Sequence, residues 1–389
     1  MKKFRFFKLI GMGILIGTLC IGLTAIAQTR QSAQIQQPGV QLTTDPPLDQ
    51  LLPFEAEAQT PQSPVRLTLQ AIDAKGQKLQ DAEIRIWIQT PRPNPWLTTD
   101  FPMAEGQTLL AMTANAPTGK VEIQQMLPIR GDYQLGVEVS PKFTNQFTPL
   151  QRTFTLPVRE NPVKYRNFAI LAVILLAAGF LGGWLIGGQQ QPQPGEIAPQ
   201  RVKLLLSGAI VVAIVALLVV NLSIAFGHSH SSVAALADGR TSFLQSQGLE
   251  LQLSKDTQVT TKHPAHLVAG VKDLTTGQPV TDVNLDIKVT SLASRWAAFA
   301  YQGTPDSTGH LSWQQQFFDG SPHLVQVTVQ SQPQALRQIQ PFQLTQPIEV
   351  EGMAPPVAAR LITLFYFTSI LLVGLAIGWR WRNIPRNCI

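Results

Sequence analysis

The stretch DAKGQKLQDAEIRIWI (residues 73–88) reads as a tight turn followed by a returning strand. Asp73 and Gly76 supply the turn, glycine taking a positive φ without a Cβ clash. Ile84, Ile86 and Ile88 then alternate with polar residues at the two-residue period of a half-buried strand. The pattern returns as DLTTGQPVTDVNLDIKV (residues 273–289), where Asp273, Gly277, Gln278, Val280 and Asp282 echo Asp73, Gly76, Gln77, Leu79 and Asp81. Leu285 and Ile287 follow as Ile84 and Ile86 do. Further on, Thr118-Gly119 stands ahead of Gln124-Gln125 as Thr308-Gly309 stands ahead of Gln314-Gln315, and the same offset carries Val139 to Val329. An offset held this long marks an internal duplication. It sets His323 in the place of Tyr133, a sandwich-edge position, and His310 in that of Lys120, a surface position.

Working outward, Val65, Leu67 and Leu69 alternate, as do Tyr133, Leu135, Val137 and Val139, between clusters of Gly, Pro and Asp. These runs predict antiparallel strands in two all-β, immunoglobulin-like sandwiches, the first over 65–158 and the second over 248–350. The remainder is different in kind. Hydrophobic residues make up 44% of the 389-residue chain and charged ones 14%, well under the ~25% of soluble domains, so part of it belongs outside water. Phe168–Gly188, Leu204–Phe226 and Leu361–Trp379 are uncharged and long enough to cross ~30 Å of hydrocarbon. They predict three transmembrane α-helices, making this a mixed membrane protein.

Residues 1–27 combine Lys2, Lys3, Arg5 and Lys8 with an apolar run and Ala25-x-Ala27, the pattern of a signal peptide cleaved after Ala27. Residues 28–64 are Gln/Pro-rich and read as a flexible tether. Under the positive-inside rule, 189–203 is a cytoplasmic loop, 227–247 an outer juxtamembrane segment, and 380–389, with Arg380, Arg382 and Arg386, a cytoplasmic tail. Both β domains then lie outside the cytoplasm of a bacterial plasma membrane or a thylakoid. The net charge of +6 is concentrated in these flanks, which argues against a nucleic-acid partner; the expected partners are the bilayer and a membrane or envelope protein.

Cys20 and Cys388 are the only cysteines, which excludes a disulfide framework. No Gly-x-Ser-x-Gly elbow, phosphate loop or His-Glu-x-x-His occurs, so no catalytic residue is assigned and an enzyme is not expected. All six histidines follow the second apolar run. His228 and His230 share one face of an extended segment and, with His263 and His266, form a candidate site for copper or zinc, set against the plain reading of a solvated linker. Gly179, Gly183 and Gly187 recur every four residues, as close helix packing requires, with the second span as the nearest partner.

Thr99-Asp100-Phe101-Pro102, Leu127-Pro128-Ile129-Arg130-Gly131 and Ala300-Tyr301-Gln302-Gly303-Thr304-Pro305-Asp306 resemble segments of a cyanobacterial membrane-protein family. The turn chemistry of each β region resembles the YtkA-like and FixH-like periplasmic sandwiches. That likeness implies a setting in copper handling or respiratory-oxidase assembly, although the first domain offers only the isolated Met103, Met112 and Met126. The expected function is a non-enzymatic extracytoplasmic scaffold without a cofactor. A metal-handling or oxidase-assembly accessory and a transporter accessory subunit are the alternatives.

Overall fold

The alternation in the sequence becomes strands that turn one face inward. The computed structural model of the protein describes residues 38–55, 62–143, 146–187, 241–332 and 337–382, with positions 202, 206, 208 and 335. Its first half runs β1 (Gly39–Asp45), β2 (Val65–Ile72), β3 (Ala82–Gln89), β4 (Thr108–Ala116), β5 (Lys120–Gln125), β6 (Gly131–Pro141), β7 (Leu150–Val158) and helix α1 (Pro162–Ile186). The second runs β8 (Thr241–Ser246), β9 (Leu249–Lys255), β10 (Val259–Thr260), β11 (Ala265–Asp273), β12 (Val283–Ser291), β13 (Ala297–Gly303) and β14 (His310–Gln315). It ends with β15 (His323–Ser331), β16 (Phe342–Ile348), β17 (Val350–Glu351) and helix α2 (Val357–Arg382). Ile84, Ile86 and Ile88 of β3 are fully buried, as are Leu285, Ile287 and Val289 of β12.

The Asp73–Gly76 turn is closed by its own side chain. Asp73 Oδ1 accepts from the amides of Lys75 and Gln77, each at 2.8 Å, and Gly76 takes φ 79°. Asp273 repeats this with the amides of Thr275 and Thr276, and Gly277 takes φ 70°. Both turns therefore have the same physical cause, but neither closes the hairpin the sequence predicts: after one bridge, Ile72 to Lys78 or Lys272 to Pro279, the chain crosses to the other sheet, where β3 pairs with β4 and β6 and β12 with β13 and β15.

The first half is a three-plus-four sandwich of immunoglobulin-like type, the second repeats it with β8 added, and the two halves share their sheets. One sheet is ordered β1-β2-β5-β13-β12-β15-β16 and the other β7-β6-β3-β4-β14-β11-β9-β8. Exchanging the halves turns the first order into the second, with β8 left over. The joints are β5 on β13, with Gln125 opposite Phe299 and Ile123 opposite Tyr301, and β14 on β4, with Gln315 opposite Leu110 and Trp313 opposite Met112. Beyond them Met126 N donates to Ala298 O and Gln316 N to Leu109 O, both at 2.9 Å. Four strand edges that would otherwise be open are thereby paired.

The structure corrects several boundaries. Within the predicted tether, 39–45 is a strand along β2, and Leu51 and Phe54 are buried. A partner strand supplied from elsewhere in the chain stabilises it, and local composition does not reveal that. Likewise Thr241–Ser246, placed in the juxtamembrane segment, pairs with β9. His323 is 1% exposed on β15, which lies between β12 and β16, and so is a core residue rather than an edge one.

Helices α1 and α2 are long and apolar enough to cross a membrane. Phe168, Ile170 and Val173 of α1 and Leu364, Phe365 and Leu372 of α2 are each more than half exposed. A core helix of a soluble protein buries such side chains, so these faces fit hydrocarbon. Asn161 sets the start of α1, its side chain accepting from Val163 N at 2.9 Å ahead of Pro162, which extends the helix upstream of the predicted Phe168. The predicted second span, 204–226, lies outside the described residues apart from two isolated positions, as do 1–27.

A Cβ at Gly179 would strike Leu371 O and one at Gly183 would strike Leu375 O. In return Gly374 lies against Leu176 and Gly378 against Phe180. The contacts rise together along both helices, so α1 and α2 run parallel with backbones in touch, the geometry that small residues four apart permit. The partner of Gly179 and Gly183 is thus the last helix, where the sequence reading placed the second span. Nearness in sequence favoured the short loop; the repeat favours the equivalent helix.

Candidate functional site where the helices leave the sandwich

The halves differ most in one connection. Between β12 and β13 the chain needs only 292–296, whereas between β3 and β4 it runs through 90–107. A loop beyond ~12–15 residues without strands or helices is uncommon in a compact domain and is usually functional. This one is tightly bonded. Thr90 Oγ1 donates to Ala104 O at 2.5 Å, Gly106 N to Pro91 O at 2.8 Å, and the Thr99 hydroxyl to Glu105 Oε1 at 2.7 Å.

The loop also reaches both helices. Asp100 pairs with Lys164 of α1, and Trp96 O accepts from the Tyr366 hydroxyl of α2 at 2.8 Å. Arg130, ahead of β6, joins Glu160 at 2.5 Å and Thr98 O at 3.3 Å, and the Asn161 side chain donates to Glu55 at 2.5 Å. Loop, strand ends and helix starts thus form one collar.

A cleft of about 560 Å³ opens in this collar, lined by Arg92, Arg130, Arg159, Glu105, Glu160 and Tyr165 among others. Its acids are engaged: Glu105 by Thr99, and Glu160 by Arg130. Among the described residues neither Arg92 nor Arg159 makes an ion pair, and both are exposed. Trp96 is 70% exposed and Leu97 54%, on the loop tip beside Tyr366. The resemblance motifs Thr99–Pro102 and Leu127–Gly131 fall in this collar, but nothing in them marks a cleft. The one local signal was the length of the segment between two alternating runs.

Behind the collar lies an aromatic cluster that joins the halves. Phe54 sits 4.5 Å from Trp296, Trp296 stacks on Phe318 at 5.1 Å, and Phe318 meets Phe101 at 5.0 Å. Next to it the start of β6 and the start of β15 solve one problem in two ways. The buried Tyr133 hydroxyl donates to Ile129 O at 2.8 Å and accepts from Ile129 N at 2.9 Å, the tyrosine corner of immunoglobulin-like sandwiches. His323 stands in its place, its Nδ1 donating to Ser321 O at 2.8 Å, between the rings of Phe317 and Trp296.

Burial pushes the His323 pKa below the usual 6.5, and the Ser321 carbonyl and Asp319 offset this only in part. At neutral pH the ring is largely uncharged in both the folded and the unfolded chain. As pH falls below 6.5 the unfolded chain takes up a proton that the folded one refuses. Stability should therefore drop by up to ~1.4 kcal/mol per pH unit until the depressed folded pKa is reached. Urea midpoints of wild type and His323→Tyr, measured at pH 7 and pH 5, check this. The substitution should remove that part of the decline, and equal declines would count against it.

His263 and His266 are exposed, the latter donating its backbone N–H to Asp256 Oδ2 at 2.7 Å, and His228 and His230 lie outside the described residues. Among the described residues no three His, Cys, Asp or Glu side chains group as metal ligands would. The structure thus does not bring His263 and His266 into such a group. No protein-family model matches the chain, and no curated protein matches it.

Among solved structures the chain is similar to invasin, a bacterial integrin-binding protein, at 10% identity over 80% of this chain and 40% of that one, with a TM-score of 0.20. It is similar to native α2-macroglobulin of E. coli at 13% identity over 83% and 15%, TM-score 0.20. For the D0-D1 domain of intimin the figures are 9% identity, 79% and 97%, and a TM-score of 0.17. The chain spans less than half of the invasin and macroglobulin structures. Superpositions this loose carry no argument about function.

Proposed function

We propose that the protein is a non-enzymatic, membrane-anchored scaffold that presents its double sandwich outside the cytoplasm and holds another membrane or envelope protein. The observation that carries this reading is the way the sandwich is mounted. Two parallel helices with hydrocarbon-facing surfaces leave one end of it, locked to each other by glycine contacts and to the sandwich by the collar. A β layer held in this manner keeps a fixed attitude to the bilayer, which suits docking more than it suits a tethered module.

Parallel helices support a third crossing between them. The chain leaves the sandwich through α1 and re-enters at Thr241, and in the sequence between, Leu204–Phe226 is uncharged and long enough to span hydrocarbon. In this reading the protein has three spans, with the C-terminus in the cytoplasm of a bacterial plasma membrane or the stroma-like side of a thylakoid.

Topology is checked with a membrane-impermeant maleimide on intact cells from which the outer barrier has been removed, in a Cys20→Ser, Cys388→Ser background. Lys75→Cys should label and Gln191→Cys should not; the reverse, or equal labelling, removes the orientation. Crosslinking in washed membranes followed by affinity purification tests the scaffold. A defined second protein is expected, and recovery of the chain alone would overturn the role.

A further inference from the structure

The 90–107 loop creates in one half a cleft that the other half has no means of building. The residue that follows the last long strand also differs between halves, Arg159 after β7 and Glu349 after β16. We infer that the cleft lined by Arg92, Arg130 and Arg159 binds a phosphate-type anion, in the first place the headgroup of an anionic phospholipid in the outer leaflet.

Charge, shape and depth converge on this. Glu160 is paired with Arg130, and Glu105 keeps its charge while accepting from Thr99; Arg92 and Arg159 also line the cleft and make no ion pair among the described residues, so the lining carries three arginines against two acids. Guanidinium offers paired N–H donors that match the oxygens of a phosphodiester, and two of them without partners favour an anion over a zwitterion of the same size. A volume of about 560 Å³ admits a glycerophosphate head.

Depth follows from the helices. Gly374 lies opposite Leu176, so Tyr366, two turns nearer the sandwich on α2, stands level with the start of the apolar part of α1 near Phe168. Trp96 is bonded to Tyr366 and largely exposed, which sets the loop tip at the depth where Trp and Tyr collect at a bilayer surface. A lipid at that level has its phosphate beside the cleft and its chains along the exposed faces of α1.

This inference rests on the membrane-anchored reading, and its test separates the two. Full-length protein in a neutral detergent is titrated with dioctanoyl-phosphatidylglycerol, dioctanoyl-phosphatidylcholine and inorganic phosphate. The anionic lipid should bind about tenfold more tightly than the zwitterionic one, and Arg92→Gln with Arg159→Gln should remove about that factor. The control pair Arg85→Gln with Arg152→Gln, equal in charge but on the strands, should leave binding unchanged.

Inorganic phosphate that competes at the lipid's own concentration assigns the site to free anions; competition only at large excess assigns it to the headgroup. Equal affinity for the two lipids, no effect of the cleft pair, or an equal effect of the control pair overturns the proposal. Release of the chain from carbonate-washed membranes would instead refute the anchoring and is read separately from the binding.

Discussion

Trp313→Ala should destabilise the whole double sandwich by about 3–5 kcal/mol, and both halves should melt together. Trp313 is among the largest fully buried side chains, at 1% exposure. It lies on β14 opposite Met112 of β4, and its ring is 6.2 Å from that of Phe299, which belongs to the second joint opposite Gln125. One indole therefore supports both places where the halves meet. Hydrogen exchange read by mass spectrometry decides the point. Protection should fall in β3 and β6 as much as in β11 and β12, and loss confined to the second half would show that the joints do not couple the halves.

The second large effect concerns the helices. An extra Cβ at Gly187 would lie 3.3 Å from the Cβ of Arg382, close to the Cβ–Cβ distance of a disulfide, ~3.5–4.5 Å. In a chain without its native cysteines, Gly187→Cys with Arg382→Cys should crosslink readily under mild oxidation. Adding Gly183→Leu should abolish the crosslink, because a side chain there would have to occupy the position of Leu375 O, and rigid helices relieve the overlap only by moving apart. Overpacking of this kind costs about 1–3 kcal/mol or more. Crosslinking that survives Gly183→Leu would place the glycine contacts elsewhere.

How much of this could be read from the chain varies with the range of the interaction. The turn at Asp73–Gly76, its copy at Asp273–Gly277 and the buried isoleucines of β3 are set by neighbours in sequence, and their residues announce them; that β3 and β12 cross to the opposite sheet, where a hairpin would return them along β2 and β11, is set by distant strands. Strand β1 was hidden, because Val40 and Leu42 form too short a run to stand out from a Gln/Pro-rich setting and are held by β2. The shared sheets were equally hidden. Gln125 and Gln315, both buried at the joints, look like surface residues in the sequence; their polar side chains gave no sign that the strand edges beside them are covered.

The candidate site shows the same division. The resemblance motifs did mark Asp100, Phe101 and Arg130, yet the cleft needs residues drawn from three connections and a helix, an assembly that no local pattern encodes. The glycine spacing on α1 announced a close helix contact but not its partner, since spacing describes a surface and not what covers it.

The exchange symmetry of the two sheets is what a homodimer would show, except that here both protomers are parts of one polypeptide. Two identical subunits must carry every loop twice. A fused pair is released from that rule, and residues 90–107 use the release: one half has grown a collar while the other keeps the plain five-residue turn at 292–296. The consequence is a count. Among the described residues the basic cleft has no copy at the equivalent turn, which gives the pair a distinguishable left and right side. A partner that reads the cleft can dock in a single orientation and with a stoichiometry of one.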